Sequence, residues 1–153
     1  QAFGSKALDA SALLMPLVGF LQADDPRMRS TIKTIKRDLT TPEGLVYRYR
    51  DADDGLGGEE GTFLICSFWL VDNLVFCDER EEATALFEKL RTYSNDLNLY
   101  SEEVDPRTME MLGNFPQAFT HIALISSAHN LERAERGQLA GRVRQSAPGD
   151  IVP

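Results

Sequence analysis

The sequence predicts an all-α domain built in two helical layers. Three observations predict it. Five segments have helical length and patterning. Segments apolar on nearly every side alternate with segments carrying one apolar stripe. The links between them alternate as well, short and then long.

The first segment, LDASALLMPLVGFLQ (8–22), is apolar almost all round, and Pro16 should kink or interrupt it. The second (26–39) carries a single stripe of Met28, Ile32, Ile35 and Leu39. Asp25 before Pro26 reads as an N-cap followed by proline at the first helical position. The third, GTFLICSFWLVDNLVFC (61–77), is again apolar all round. The fourth (79–93) returns to one stripe of Ala83, Leu86, Phe87 and Leu90. Asp78 is placed to cap it, and its first turn is acid-rich, as the helix dipole favours. The fifth (116–135) is apolar and small-residue-rich for three turns, then charged. A helix apolar on all sides needs covering on all sides, whereas a striped helix covers something and faces water. The order is therefore inner, outer, inner, outer, inner, the pattern of a toroid of helical hairpins.

The inner-to-outer links, 23–25 and 78, are short. The outer-to-inner links, 40–60 and 94–115, exceed the usual loop length, which marks functional or disordered segments. Both long links fall on one rim, at the N-terminal ends of inner helices, where backbone N–H groups are unpaired. Loop 40–60 holds GLVYRYR, an alternating stretch suited to a short hairpin, then DADDGLGGEEG. Residues 1–137 form the expected helical domain. Residues 138–153 read as a polar, poorly ordered tail.

Composition narrows the function. A net charge of −8 and a pI near 4.7 argue against a nucleic-acid partner. No apolar run approaches the ~18–20 residues of a membrane span, and the first residues lack the layout of a signal peptide. The chain does not begin with Met, which leaves open a processed chain or a piece of a longer one. Cys66 and Cys77 sit in or beside one apolar segment and read as reduced core residues, pointing to the cytoplasm. His121 and His129 have no acidic neighbours at ligand spacing, so no metal is expected. With no phosphate-binding or dinucleotide glycine motif, no cofactor is expected either.

Several residues carry two readings on pattern alone. Glu102 and Glu103, in YSEEVDP (100–106), are either solvated loop acids or a base with its neighbour. Arg48 and Tyr49 form either an exposed hairpin, with Arg48 paired to Asp51 or Asp53, or part of a ligand site. Glu60 suits a helix start by its charge. Phe68 and Trp69 read as core, and His121 as a satisfied core residue.

Four strings break these ties: LDASALLMPLVGFLQADDPRMRSTI, GLVYRYR, GEEGTFLICSFWLVDNL and NDLNLYSEEVDPRTMEMLGNFPQAFTHIALI. Together, from about residue 6 to about residue 133, they resemble the C-terminal part of the glucoamylase-like glycoside hydrolases, family fifteen. The resemblance implies an (α/α)6 toroid of six hairpins with its site on one rim. It makes Glu102, the first glutamate after the serine, the general base. Glu103 becomes a sugar hydrogen-bonder, and Arg48 and Tyr49 become substrate-binding residues. Glu60 becomes a further contact, although glucoamylases often carry a Trp about where Phe63 stands. The implied reaction is inverting hydrolysis of α-glucosidic bonds in oligosaccharides or trehalose, with paired carboxyls ~6.5–9.5 Å apart. The family's general acid lies in a Trp-Glu context. The one tryptophan here, Trp69, precedes Leu70. The acid is thus expected outside this chain, in a missing N-terminal part that would be its partner, with self-association as the other way to cover the inner helices. The competing reading is a non-catalytic helical scaffold or protein-interaction domain.

Overall fold

A computed structural model of the chain describes Gly4, residues 7–50 and residues 61–139. The all-α class holds, with a small sheet added.

The chain opens with a 3-10 turn, Ala10–Leu13, capped by the Asp9 carboxylate, which accepts from Ser11 N–H at 2.8 Å. Helix α1 follows as Leu14–Leu17 only. The expected helix over 8–22 is therefore halved. Pro16 brings no amide to continue the ladder, and Gly19 turns the chain with φ 75°. Val18 and Phe20 are left exposed.

Helix α2, Pro26–Asp38, matches expectation. The Asp25 side chain accepts from Arg27 N–H at 2.8 Å, and Met28, Ile32 and Ile35 are buried, with Leu39 beyond them. The chain then turns through Gly44. An antiparallel bridge pairs Thr40 with Val46, and Tyr47 N–H donates to Leu39 carbonyl at 2.8 Å. The hairpin expected in loop 40–60 is thus one bridged turn at its beginning.

Strand β1, Thr62–Phe63, leads into helix α3, Leu64–Phe76, which is buried along almost its whole length. Helix α4, Arg80–Arg91, buries Ala83, Phe87 and Leu90. Its cap differs from expectation. Asp78 has φ 65° and pairs with Arg80 at 2.7 Å, so Glu79 occupies the cap position without a side-chain bond. Link 94–115 is not structureless. It carries β2, Glu103–Val104, and β3, Met111–Leu112, in an antiparallel sheet ordered β1-β2-β3. Helix α5, Ala118–Glu135, closes the described part, with the Gln117 side chain capping it.

Helix α3 packs against α4, α5 and the opening 3-10 turn. Phe68 meets Phe87 and Tyr100 edge-on, at centroid distances of 6.2 and 6.0 Å. Trp69 is half-buried against the same core. The α3–α5 seam is polar at two points. Ser127 Oγ donates to Phe68 carbonyl at 3.0 Å, and Asn130 Nδ2 donates to Asp72 Oδ1 at 3.0 Å. Cys66 and Cys77 are buried free thiols, as expected. Of the three segments expected to be covered on every side, only α3 is so covered by the described residues. On α5, Phe119, Ile122 and Ile125 are each more than 60% exposed.

Candidate active site

Four backbone hydrogen bonds gather the two long links at the N-terminal ends of the inner helices. Ala10 N–H donates to Arg48 carbonyl (2.8 Å), Phe63 N–H to Val46 carbonyl (3.0 Å), Leu64 N–H to Glu102 carbonyl (3.1 Å) and Gln117 N–H to Tyr100 carbonyl (2.9 Å). Inner-helix starts leave N–H groups unpaired. Here three of the four donors come from β1, the first residue of α3 and the cap of α5, and the link carbonyls take them. This is the rim that the loop lengths predicted.

Glu102 is half-buried on that rim. Its main-chain N–H donates to Asn114 carbonyl at 2.9 Å. One carboxylate oxygen, Oε2, accepts from Asn114 twice, from the backbone N–H at 3.1 Å and from Nδ2 at 2.8 Å. Gly113 (φ 72°) makes room for this. A Cβ there would sit 3.0 Å from both Glu102 Cβ and Oε2. Glu103 pairs with Phe63 and Leu112 in the sheet, and its side chain lies against Gly61. The two carboxylates thus have different neighbours, Asn114 and Gly113 for Glu102 and Gly61 for Glu103. Beyond them, Asp105 accepts from Arg107 N–H at 2.8 Å and opens the turn between β2 and β3. That bond, with the Arg107 guanidinium, holds its carboxyl below the usual range.

The Arg48 guanidinium lies 3.7 Å from Asp9 Oδ1 and 5.9 Å from the Tyr49 ring centroid. Arg50 stacks on Tyr47 at 4.8 Å. The partner of Arg48 is thus Asp9; Asp51 and Asp53 lie outside the described residues, as does Glu60. Burial pushes the Cys66 thiol, in the first turn of α3, up to about 12; the Arg48 charge opposes that shift. His121 uses both ring nitrogens. Nδ1 faces Gln117 carbonyl at 2.7 Å, and Nε2 accepts from Tyr100 N–H at 3.4 Å. It is therefore a structural clamp between the SEE link and α5, as its sequence context suggested.

The structure thus brings Arg48, Tyr49, Glu102 and Glu103 to one rim, but with different partners. Asn114, Gly113 and Asp9 were missed. The string LGN before FPQ was the available signal for the first two. Among the described residues no group of three His, Cys, Asp or Glu side chains could hold a metal ion, and no helix is long and apolar enough to cross a membrane.

A sequence model for glycosyl hydrolases family 15 matches residues 1–129. The chain belongs to that family. It is 56% identical over 137 residues to a trehalase of Mycolicibacterium smegmatis, covering 88% of this chain and 20% of that protein. A trehalase of Mycobacterium tuberculosis is 54% identical with the same coverage. A trehalase of Thermoplasma acidophilum is 44% identical, over 88% of this chain and 23% of its own length. The chain thus spans about a fifth of the length of these relatives. In fold it resembles a solved glycosidase, with a TM-score of 0.71 at 20% identity, covering 84% of this chain and 37% of that one. A variant glycosidase in complex with glucose gives 0.72 at 19% identity, with the same coverage.

Proposed function

We propose that this chain is the C-terminal portion of an inverting glycoside hydrolase acting on α-glucosidic bonds, trehalose foremost, and that Glu102 is its general base. The observation that carries the reading is the one-sided hold on Glu102. Asn114 occupies Oε2, and no hydrogen bond from the described residues reaches Oε1. A base needs one oxygen fixed and the other open to water. The trehalase relatives supply the substrate class.

In this mechanism Glu102 takes a proton from water as the water attacks the anomeric carbon. A protonated carboxyl on the opposite face gives its proton to the departing glycosidic oxygen. That acid belongs to the part of the protein outside this chain. Arg48 and Tyr49 bind sugar hydroxyls. The planar guanidinium lies 3.7 Å from the Asp9 carboxylate, and its fork of N–H groups suits paired hydroxyls. Glu103, whose side chain lies against Gly61, and Glu60, which lies outside the described residues, complete the sugar contacts. Residues 1–137 form the toroid portion; of the polar segment 138–153, residues 140–153 lie outside the described residues. Two reduced cysteines fit a cytoplasmic location.

The test uses the full-length enzyme with trehalose. Glu102→Gln keeps the shape and removes the base. Turnover should fall by about 10²–10⁴, whereas Glu103→Gln should act more mildly. Attack with inversion on trehalose releases one β-glucose and one α-glucose, which proton NMR resolves at early times. Near-normal turnover in Glu102→Gln with loss in Glu103→Gln would move the base by one residue. Two α-glucoses would sink the inverting mechanism.

A further inference from the structure

We propose that Asn114 is the positioning residue of the general base: it fixes Glu102 so that a single carboxylate oxygen, Oε1, faces the attacking water. The inference rests on the reading of Glu102 as the base. Its own support is geometric. Residues 102 and 114 exchange three hydrogen bonds: Glu102 N–H to Asn114 carbonyl, Asn114 N–H to Oε2, and Asn114 Nδ2 to Oε2. The first fixes the main chain of Glu102. The other two converge on one oxygen from one residue, so they fix the rotation of the carboxylate as well as its place.

Convergence of that kind needs a close approach, and the chain provides it. Gly113 stands at φ 72°, in the left-handed region that other residues avoid, and its missing Cβ leaves the space that Glu102 fills. On the far side, Gln117 N–H is tied to Tyr100 carbonyl, so the segment 113–117 runs clamped between the SEE link and α5. Asn114 itself is exposed and packs no core. Its side chain therefore does little for folding that another polar residue could not do. Both donors act on the oxygen that does not react. A carboxylate free to rotate would offer water either oxygen at varying angles. A near-attack geometry is lost with displacements of about 1 Å, at a cost of roughly 10²-fold in rate.

The experiment is a double-mutant cycle in the full-length enzyme, read as kcat and KM for trehalose. Asn114→Ala and Asn114→Asp each remove the side-chain donor, the second at nearly constant volume. Either should lower kcat by roughly ten- to a hundredfold with KM changed by no more than about twofold, because sugar contacts remain. In the Glu102→Gln background, where no base remains to be aimed, adding Asn114→Ala should cost nothing further. A purely structural role would lower activity in both backgrounds alike. The inference is overturned if Asn114→Asp keeps native kcat, or if the two losses multiply. If Glu102→Gln alone keeps native turnover, the assignment of the base fails first, and this inference goes with it. A melting curve for each variant separates lost positioning from lost fold. Should Asn114→Ala unfold, the aspartate variant carries the cycle.

Discussion

Gly113 and Gly19 stand in nearly the same backbone conformation, φ 72° and 75°, but in different surroundings. A Cβ at Gly113 would press on Glu102 at 3.0 Å, whereas one at Gly19 would meet nothing within 4 Å. Alanine at either position costs roughly 1–2 kcal/mol for the left-handed residue. Only at Gly113 should it also displace the carboxylate. We expect Gly113→Ala and Gly19→Ala to lower the melting temperature of the full-length enzyme similarly, and only Gly113→Ala to lower kcat. Equal kcat in the two variants would show that Glu102 tolerates the contact. At this scale the sequence was uneven. Glu102 was singled out by a family string, and the structural place of His121 was legible through its apolar setting. Asn114 was not legible, because its tie to a residue twelve positions earlier depends on how β2 and β3 pair. No spacing rule encodes a register set by two-residue strands.

At the scale of elements, the α3–α5 seam contains a buried carboxyl. Asp72 is fully buried and accepts from Asn130, yet its Oδ2 has no partner among the described residues. Burial raises its pKa from the ordinary 3.8 to about 6, against the hydrogen bond from Asn130. The folded state therefore holds a proton that the unfolded state has already released. Stability from this group is complete below pH 3.8 and is lost as pH rises toward about 6, with no further change above. The size is about 3 kcal/mol at most. Asp72→Asn should flatten that part of the profile, so its melting temperature relative to native should rise between pH 4 and pH 7. A difference that stays constant across that range would mean that Asp72 does not titrate there. The helices themselves were largely legible, since burial at helical spacing and the Asp25-Pro26 cap are local signals. The misreadings came where backbone geometry overrode them. Pro16 and Gly19 ended α1 early, and Asp78 adopted a left-handed turn in place of a cap.

At the scale of the molecule, the alternation of inner and outer helices was readable in the sequence because a buried helix and a half-buried one differ in composition on every turn. What covers the inner helices was not readable from these residues. Phe119, Ile122 and Ile125 form an exposed apolar stripe on α5, and Val18 and Phe20 add a second exposed region after α1. Apolar patches larger than a few hundred Å² rarely stay open to water. Residues 1–153 purified alone should therefore self-associate by light scattering. They should not hydrolyse trehalose or maltose, because one carboxyl cannot both activate water and protonate the leaving oxygen. Hydrolysis by a pure monomer would sink both expectations. The peptide of Glu102 has a further consequence at this scale. Its N–H is held by Asn114 and its carbonyl by the first amide of α3, the most enclosed helix of the chain. Such a group does not need to be ordered again at each turnover, since the entropy of fixing it is lost once, during folding. On the proposed reading of Glu102 as the base, any movement that admits substrate has to come from elsewhere than this peptide.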